Sequence, residues 1–163
     1  MARLDLSLFG GFAVCLDGRP VTHFKSDKTR ALLAYLAVEA GRPHRREALA
    51  ALLWPDRPEA VARDNLSQAL YNLRVTLGGH SLGRAPRPAG DAPITHDPVP
   101  VPLFLAVADT IQINPAAGHH VDATVFAAQA RLEDAHEPGA ECDACLQRLG
   151  EAAALYRGAF LQG

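Results

Sequence analysis

The strongest pattern of apolar and polar residues lies in residues 56–77, where leucines recur at helical spacing. They are four, three and four residues apart, at Leu66, Leu70, Leu73 and Leu77, and therefore form one stripe of an amphipathic α-helix. The opposite face is expected to carry Asp64, Gln68, Tyr71, Asn72 and Val75, with Arg63, Ser67 and Arg74 on its flanks. Such a surface is suited to reading base edges and contacting DNA phosphates, although an ordinary surface helix has the same pattern.

Residues 3–24 predict a small antiparallel sheet. Apolar and polar residues alternate over residues 3–8, which is the period of a half-buried strand. Phe12, Val14 and Leu16 are expected to form a second strand. The pair Asp17-Gly18 follows the second strand and is typical of a hairpin turn, because both residues tolerate positive φ. Residues 21–24 are then expected to belong to the returning strand.

Two shorter helices are expected between this sheet and the leucine-striped helix. The first covers about residues 26–40, with Ser26 or Asp27 as its N-terminal cap. The second begins at about Arg46 and ends at Trp54, because the residue before a proline disfavours helical backbone. The residues expected to face inward are Leu32, Leu33, Leu36 and Ala37 in the first helix and Leu49, Leu52 and Leu53 in the second.

The chain after the leucine-striped helix begins with a proline-rich loop, residues 78–102, whose composition excludes a regular element. Two β-prone runs over residues 103–114 meet at Ala108-Asp109 and predict a second hairpin. Asp122 is expected to cap a further helix. A last helix is expected over about residues 142–156, with Leu146, Leu149, Ala153 and Tyr156 on one side.

The order of these elements predicts an α+β fold that contains a winged helix-turn-helix. In a winged helix the second and third helices form the helix-turn-helix and the hairpin is the wing. The leading antiparallel sheet further resembles the output domain of bacterial response regulators.

Several separate blocks of the chain resemble the antibiotic regulatory protein family of bacterial transcriptional activators. Residues 28–56, KTRALLAYLAVEAGRPHRREALAALLWPD, and residues 62–74, ARDNLSQALYNLR, resemble the DNA-binding part of that family. Residues 109–126, DTIQINPAAGHHVDATVF, match its junction between wing and helical module. Residues 151–163, EAAALYRGAFLQG, resemble the opening helices of its bacterial transcriptional activation domain, a stack of TPR-like helix pairs.

The resemblance implies two modules and a function. Residues 1–115 would form the winged-helix DNA-binding domain, including the proline-rich loop, and residues 119–163 the first TPR-like α-helical hairpin of a truncated activation domain. The family relationship implies an activator that reads direct repeats in double-stranded DNA near a promoter and contacts RNA polymerase. Because one helix pair cannot bury both of its faces, we expect the chain to be the N-terminal piece of a longer protein.

The candidate contact residues fall into two groups. Amide side chains can bond adenine bidentately, and arginine can reach guanine or phosphate; the expected base contacts are Gln68, Asn72, Arg63, Arg74 and Tyr71. The start of a helix favours anions; the expected phosphate contacts are Arg45, Arg46, Lys28, Lys25 and Ser67. For Lys25 and Arg30, a solvated surface charge is at least as good an interpretation.

The predicted wing departs from the family pattern at its tip. Wings of this kind often carry a basic residue for the minor groove, whereas the tip here is Ala108-Asp109. Arg84 and Arg87 in the proline-rich loop are candidate substitutes. With few phosphate contacts a single module should bind weakly, so a homodimer or tandem sites would be needed.

The charge distribution separates the same two modules. The 163 residues have a net charge of −2, yet residues 19–74 hold ten basic and six acidic residues, whereas residues 88–163 hold three basic and ten acidic ones. A basic part joined to an acidic part indicates different partners. The sequence has neither an apolar signal segment nor a run long enough to cross a bilayer, which predicts a cytoplasmic protein without membrane contact.

Two alternatives to a DNA-binding activator stay open on the sequence alone. The chain could be a winged-helix and TPR-like protein-interaction module that never touches DNA. It could also be a zinc- or redox-sensing regulator, in which Cys142 and Cys145 join His119 and His120, although the cysteine spacing equally suits two buried residues of a helix. No catalytic arrangement is visible, so we expect a protein that is not an enzyme and has no cofactor.

Overall fold

A computed structural model of the protein describes residues 3–77, 82–83, 102–131 and 143–161. Within these ranges the fold is a mixture of α and β elements. In chain order they are β1 (Arg3–Ser7), β2 (Ala13–Leu16), β3 (Arg19–Pro20), α1 (Asp27–Val38), β4 (His44–Arg45), α2 (Arg46–Leu53), α3 (Glu59–Thr76), β5 (Leu82–Gly83), β6 (Phe104–Val107), β7 (Thr110–Ile113), β8 (Gly118–Val121), α4 (Asp122–Ala130) and α5 (Asp143–Leu155). A search of the same ranges finds no helix with the length and hydropathy needed to span a membrane.

The N-terminal sheet has the strand order β3-β2-β1-β8. The antiparallel pairing of β1 with β2 and the turn at Asp17-Gly18, with φ of 52° and 76°, are as predicted. The fourth strand is not: β8 lies parallel to β1, with Val121 opposite Leu6. Within residues 3–20 the sheet is antiparallel as predicted. Residues 21–24, expected in the returning strand, lie beyond β3, and a segment far along the chain completes the sheet beside β1.

The core lies between this sheet and the helices. Leu4, Leu6 and Leu8 point inward from the sheet region and are almost completely buried. They belong to one cluster with the buried leucines of α1, α2 and α3 and with apolar residues of the hairpin. Burying this apolar surface is the dominant favourable term in folding.

Helices α1 and α2 form largely where their sequences predict. Ser26 caps α1, and its Oγ accepts the N–H of Thr29 at 3.2 Å. Leu49 and Leu53 are buried in α2, but the inward orientation expected for Leu52 is wrong, since its side chain is 53% exposed. Ala50 occupies the buried face instead, because that face is centred on Leu53, and Leu52 lies about 100° away from it.

The second sheet has the strand order β4-β7-β6-β5. Its β6–β7 hairpin turns at Ala108-Asp109, as predicted. Strand β4 pairs with β7 and so attaches the start of α2 to the hairpin. Within the proline-rich loop, β5 pairs with β6 in parallel, which corrects the expectation that residues 78–102 contain no regular element; residues 78–81 and 84–101 lie outside the described ranges.

Asp122 joins the start of α4 to the N-terminal sheet. The cap residue of α4 is Val121, without a side-chain capping bond, so the prediction that Asp122 is the cap is wrong. Its buried carboxylate instead accepts the N–H of Leu8 at 2.8 and 2.9 Å and that of Phe9 at 3.2 Å. It also accepts the N–H of Ala123 at 2.7 Å.

The segment after α5 is attached to the same end of β1. The N–H of Leu161 donates to the carbonyl of Leu8 at 2.7 Å, and the N–H of Gly10 donates to Ala159 at 3.1 Å. The ring of Phe9 contacts three other aromatic rings, those of Phe126, Tyr156 and Phe160. Helix α4 and the segment after α5 are thus attached to the N-terminal sheet by polar and aromatic contacts.

The side of α5 that the sequence marks as apolar faces solvent in the described structure. Leu146, Leu149, Ala153 and Tyr156 are all exposed, Leu146 by 64%. The buried residue of this helix is Ala152. The leucines therefore do not hold α5 against α4.

Replacing Gly10 should weaken the attachment of the C-terminal segment. A Cβ there would lie 2.7 Å from the carbonyl oxygen of Arg157, whereas Gly18, with the same φ of 76°, has nothing within 4 Å. We expect Gly18→Ala to cost about 1 kcal/mol for its left-handed backbone, and Gly10→Ala to cost roughly 1–3 kcal/mol more because of the clash. Urea unfolding of both variants measures the difference, and equal losses would contradict the contact.

Removing the charge of Asp122 should destabilise the protein. An amide offers one oxygen where the carboxylate offers two, so Asp122→Asn leaves a buried N–H without its acceptor. We expect a loss of about 2 kcal/mol in the free energy of unfolding. Asp143→Asn is the matched control, because Asp143 is also the first residue of a helix but is exposed. Unfolding of both variants at the same urea concentration would contradict the structural role assigned to Asp122.

Candidate nucleic-acid interface

Helix α3 separates an apolar face from a polar one. Its buried face consists of Ala62, Leu66, Ala69, Leu70, Asn72 and Leu73, and Leu77 continues that face beyond the helix. All four leucines of the predicted stripe are therefore buried as expected. The leucine stripe fixes the rotation of the helix and thereby the direction in which the opposite face points.

The opposite face is open to solvent over its whole length. Asp64, Gln68, Tyr71 and Val75 are exposed as predicted, Tyr71 by 57%. Val61 adds a second exposed apolar side chain near the first turn. Amide, hydroxyl and methyl groups are together on this face, which is the combination needed to contact both the polar edges of bases and the methyl group of thymine.

Asn72 is not part of that exposed face. Its side chain is only 9% exposed, so the predicted outward orientation is wrong. Asn72 lies beside the apolar stripe of α3, and a residue there is buried only where the neighbouring elements cover more of the helix surface than the leucines alone. Its Oδ1 accepts a hydrogen bond from Nε2 of Gln68 at 3.2 Å, and the amide of Gln68 is thereby held by its neighbour one turn away. The i,i+4 spacing of the two amides is the sequence signal for this bond.

The two arginines of α3 have different environments. Arg63 is exposed and forms an ion pair with Glu59, with Nη2 2.5 Å from Oε1. Arg74 is half-buried, and its Nε has no hydrogen-bond partner among the described residues. Ser67 is exposed, but its hydroxyl donates to the carbonyl of Arg63 at 2.9 Å, which leaves its oxygen as an acceptor.

The start of α2 contacts the tip of the hairpin. The N–H of Arg46 donates to the carbonyl of Asp109 at 2.8 Å. The carboxylate of Asp109 also approaches Arg45, with Oδ2 3.8 Å from Nε. Arg45 is exposed and Arg46 half-buried. The sequence predicted the arginines as an anion site but did not reveal that an aspartate of the same chain lies against them.

The two candidate lysines lie near the start of α1. Lys25 and residues 20–24 line an open groove of about 750 Å³ together with Val75 and Thr76 at the end of α3. Thr76 Oγ1 donates to the carbonyl of His23 at 3.2 Å and joins the two segments. Lys28 is exposed in the first turn of α1. The fold therefore brings Lys25 beside the end of α3.

The metal alternative finds no support in the described residues. No group of three or more His, Cys, Asp and Glu side chains in those ranges is arranged to hold a metal ion. His119 and His120 lie on β8, and Cys145 lies half-buried on α5. Cys142, and also Arg84 and Arg87, lie outside the ranges that the structure describes.

Comparison with known proteins gives sequence relatives and a solved structure of similar fold. No protein-family model matches the chain. Over 80 residues, or 49% of its length, the chain is 39% identical to the transcriptional regulatory protein EmbR of Mycobacterium tuberculosis and of Mycobacterium bovis. The chain is homologous to EmbR over this segment. The matched segment spans 20% of the length of those relatives.

The structural match extends over almost the whole chain. A solved structure of Mycobacterium tuberculosis EmbR, in complex with a low-affinity phosphopeptide, superimposes with a TM-score of 0.65. The match covers 99% of this chain and 38% of the EmbR chain at 24% identity. The α+β fold described above is therefore shared with EmbR.

Proposed function

We propose that the chain is the DNA-binding part of a transcriptional activator. The observation that carries the proposal is the exposed polar face of α3, held outward by a buried leucine face. The similarity of the chain to a transcriptional regulatory protein supports the same class of function. The proposal makes α2 and α3 a helix-turn-helix and the β6–β7 hairpin its wing.

In this proposal α3 enters the major groove of double-stranded DNA. That groove admits an α-helix and carries a donor and acceptor pattern unique to each base pair. Gln68 would bond adenine, with Asn72 holding its amide rather than contacting the base. Arg63 and Tyr71 would contact the neighbouring bases or sugars, and Val75 would pack on a thymine methyl group.

Phosphate contacts would position the helix on the duplex. The candidates are Arg45 and Arg46 at the start of α2, Lys25 beside the end of α3, Lys28 and the half-buried Arg74. Ser67 would join them only by releasing the hydrogen bond that its hydroxyl donates to the carbonyl of Arg63, because phosphate oxygens are acceptors. Such contacts supply most sequence-independent affinity and make it sensitive to salt. Because this set is small, we infer that useful occupancy needs a homodimer or direct repeats near a promoter.

The helices after the hairpin would supply the activating contact. We propose residues 1–115 as the DNA-binding domain and residues 119–163 as the start of a TPR-like activation domain that contacts RNA polymerase. The exposed apolar residues Leu146, Tyr156 and Phe160 give this part a surface for a protein. The cytoplasm is the compartment in which a bacterial activator of this kind acts.

The same apolar surface favours the second candidate, a protein-interaction module without DNA binding. EmbR, of whose chain the structural match covers 38%, has been solved with a low-affinity phosphopeptide. The two functions differ in one respect that can be measured: only the first requires the polar face of α3. A zinc or redox sensor would require Cys142, and the described residues give no reason to propose it.

Selection of bound sequences from a random duplex pool tests the proposed function directly. We expect the parent protein to enrich a defined sequence, and Gln68→Ala to lose about 1–3 kcal/mol of discrimination at one or two positions of it. Gln147→Ala is the matched control, because it makes the same change on the exposed surface of α5. Enrichment of no sequence by the parent would favour the interaction module.

A further inference from the structure

We propose that the carboxylate of Asp109 at the hairpin tip competes with DNA phosphate for Arg45, and that Asp109 thereby lowers the affinity of the protein for DNA. The inference rests on the proposed DNA-binding function and adds a negative determinant to the same site. The side-chain contact of Asp109 with Arg45 carries it, and the backbone contact of Asp109 with Arg46 holds the residue in place.

The backbone contact occupies a group that would otherwise be available to a phosphate. The first N–H groups of a helix have no partner within the helix and attract anions. In α2 the first of them, the N–H of Arg46, already donates to the carbonyl of Asp109 at 2.8 Å. The cap residue Arg45 offers no side-chain capping bond. The hairpin tip therefore supplies the acceptor at this helix start.

The side-chain contact places a negative charge on the neighbouring arginine. Oδ2 of Asp109 lies 3.8 Å from Nε of Arg45. A phosphate that binds Arg45 must either displace this carboxylate or lie close to it. Two like charges about 4 Å apart repel each other appreciably even in water, so the carboxylate opposes the contact in both cases.

The turn holds Asp109 in this position. Ala108 has a φ of 48°, a left-handed backbone that non-glycine residues seldom adopt. Thr110 Oγ1 donates to the carbonyl of Val107 at 3.0 Å across the turn. Arg45 pairs with Thr110 in the register of β4 and β7. The tip is thus fixed to the residue whose charge it offsets, instead of swinging away as a loose loop.

The ion pair between Arg45 and Asp109 is exposed, and its exposure limits its contribution to folding stability. The side chains of Arg45 and Asp109 are 72% and 61% exposed. Exposed pairs of this kind contribute little to folding, so removing the charge of Asp109 should leave stability nearly unchanged. It would, however, release the charge of Arg45 toward the duplex.

Asp109→Asn tests the inference because it keeps the size of the side chain and removes its charge. We expect the variant to bind fluorescein-labelled duplex about 3–10-fold more tightly at low salt, and the slope of log affinity against log salt to steepen by roughly one unit. The gain should be equal for the selected duplex and for an unrelated duplex of the same length, because Arg45 would contact phosphate and not a base.

Three further variants make the test specific. Asp5→Asn removes an equal charge from the Arg3–Asp5 pair of the N-terminal sheet, 3.0 Å long, and should leave DNA binding unchanged. Arg45→Gln should weaken binding to both duplexes. In the Arg45→Gln background, Asp109→Asn should lose most of its gain, since the carboxylate then has no arginine to offset. Thermal unfolding of each variant checks that the fold is intact.

The outcomes separate the inference from the proposed function. If the parent binds a selected duplex but Asp109→Asn binds no more tightly, the competition does not exist and DNA binding stands. The same conclusion follows if Asp109→Asn gains as much in the Arg45→Gln background as it does with Arg45 in place. An equal gain in Asp5→Asn would reduce the effect to net charge and overturn the inference. If neither the parent nor any variant binds DNA, both the function and the inference fail.

Discussion

The burial of the leucine face of α3 is the interaction on which the rest of the structure depends. Leu66 and Leu73 are almost inaccessible to solvent, and each buried leucine side chain contributes about 1.5–3 kcal/mol to folding. That packing fixes the helix in rotation as well as in position. The exposed face is consequently presented by a rigid element, which is what precise recognition of another molecule requires.

The N-terminal sheet connects the two helical parts of the molecule. On one side its leucines share the core with α1 and α3. At its end, the backbone of Leu8 and Phe9 is bonded to the carboxylate of Asp122, and the ring of Phe9 is surrounded by aromatic residues of α4 and the C-terminal segment. A buried carboxylate that accepts several N–H groups ties backbone segments together more specifically than apolar contact does.

Two arginines near α3 form ion pairs with other residues of the chain. Arg63 pairs with Glu59, and Arg45 lies beside Asp109. Because exposed ion pairs add only about 0–1 kcal/mol to stability, these pairs matter less for folding than for the charge that the surface offers to a partner. Glu59 is already counted in the moderate positive charge of residues 19–74, whereas Asp109 lies outside those residues and offsets Arg45 in addition.

Local sequence determined the helices, the two hairpins and the leucine face, because each depends on a period or a turn residue within a few positions. The Ser26 cap and the Asp17-Gly18 turn are of this kind. Tertiary structure decided the features that the spacing of apolar residues along the chain does not determine. The hydrogen bond that the N–H of Leu8 donates to Asp122 joins residues 114 positions apart in the sequence. Strand β8 pairs with β1 across a similar separation in sequence. The burial of Asn72 and the exposure of Leu52 depend on how much of each helix surface the rest of the protein covers. The position of Asp109 beside Arg45 depends on the pairing of β4 with β7. None of these is encoded in neighbouring residues.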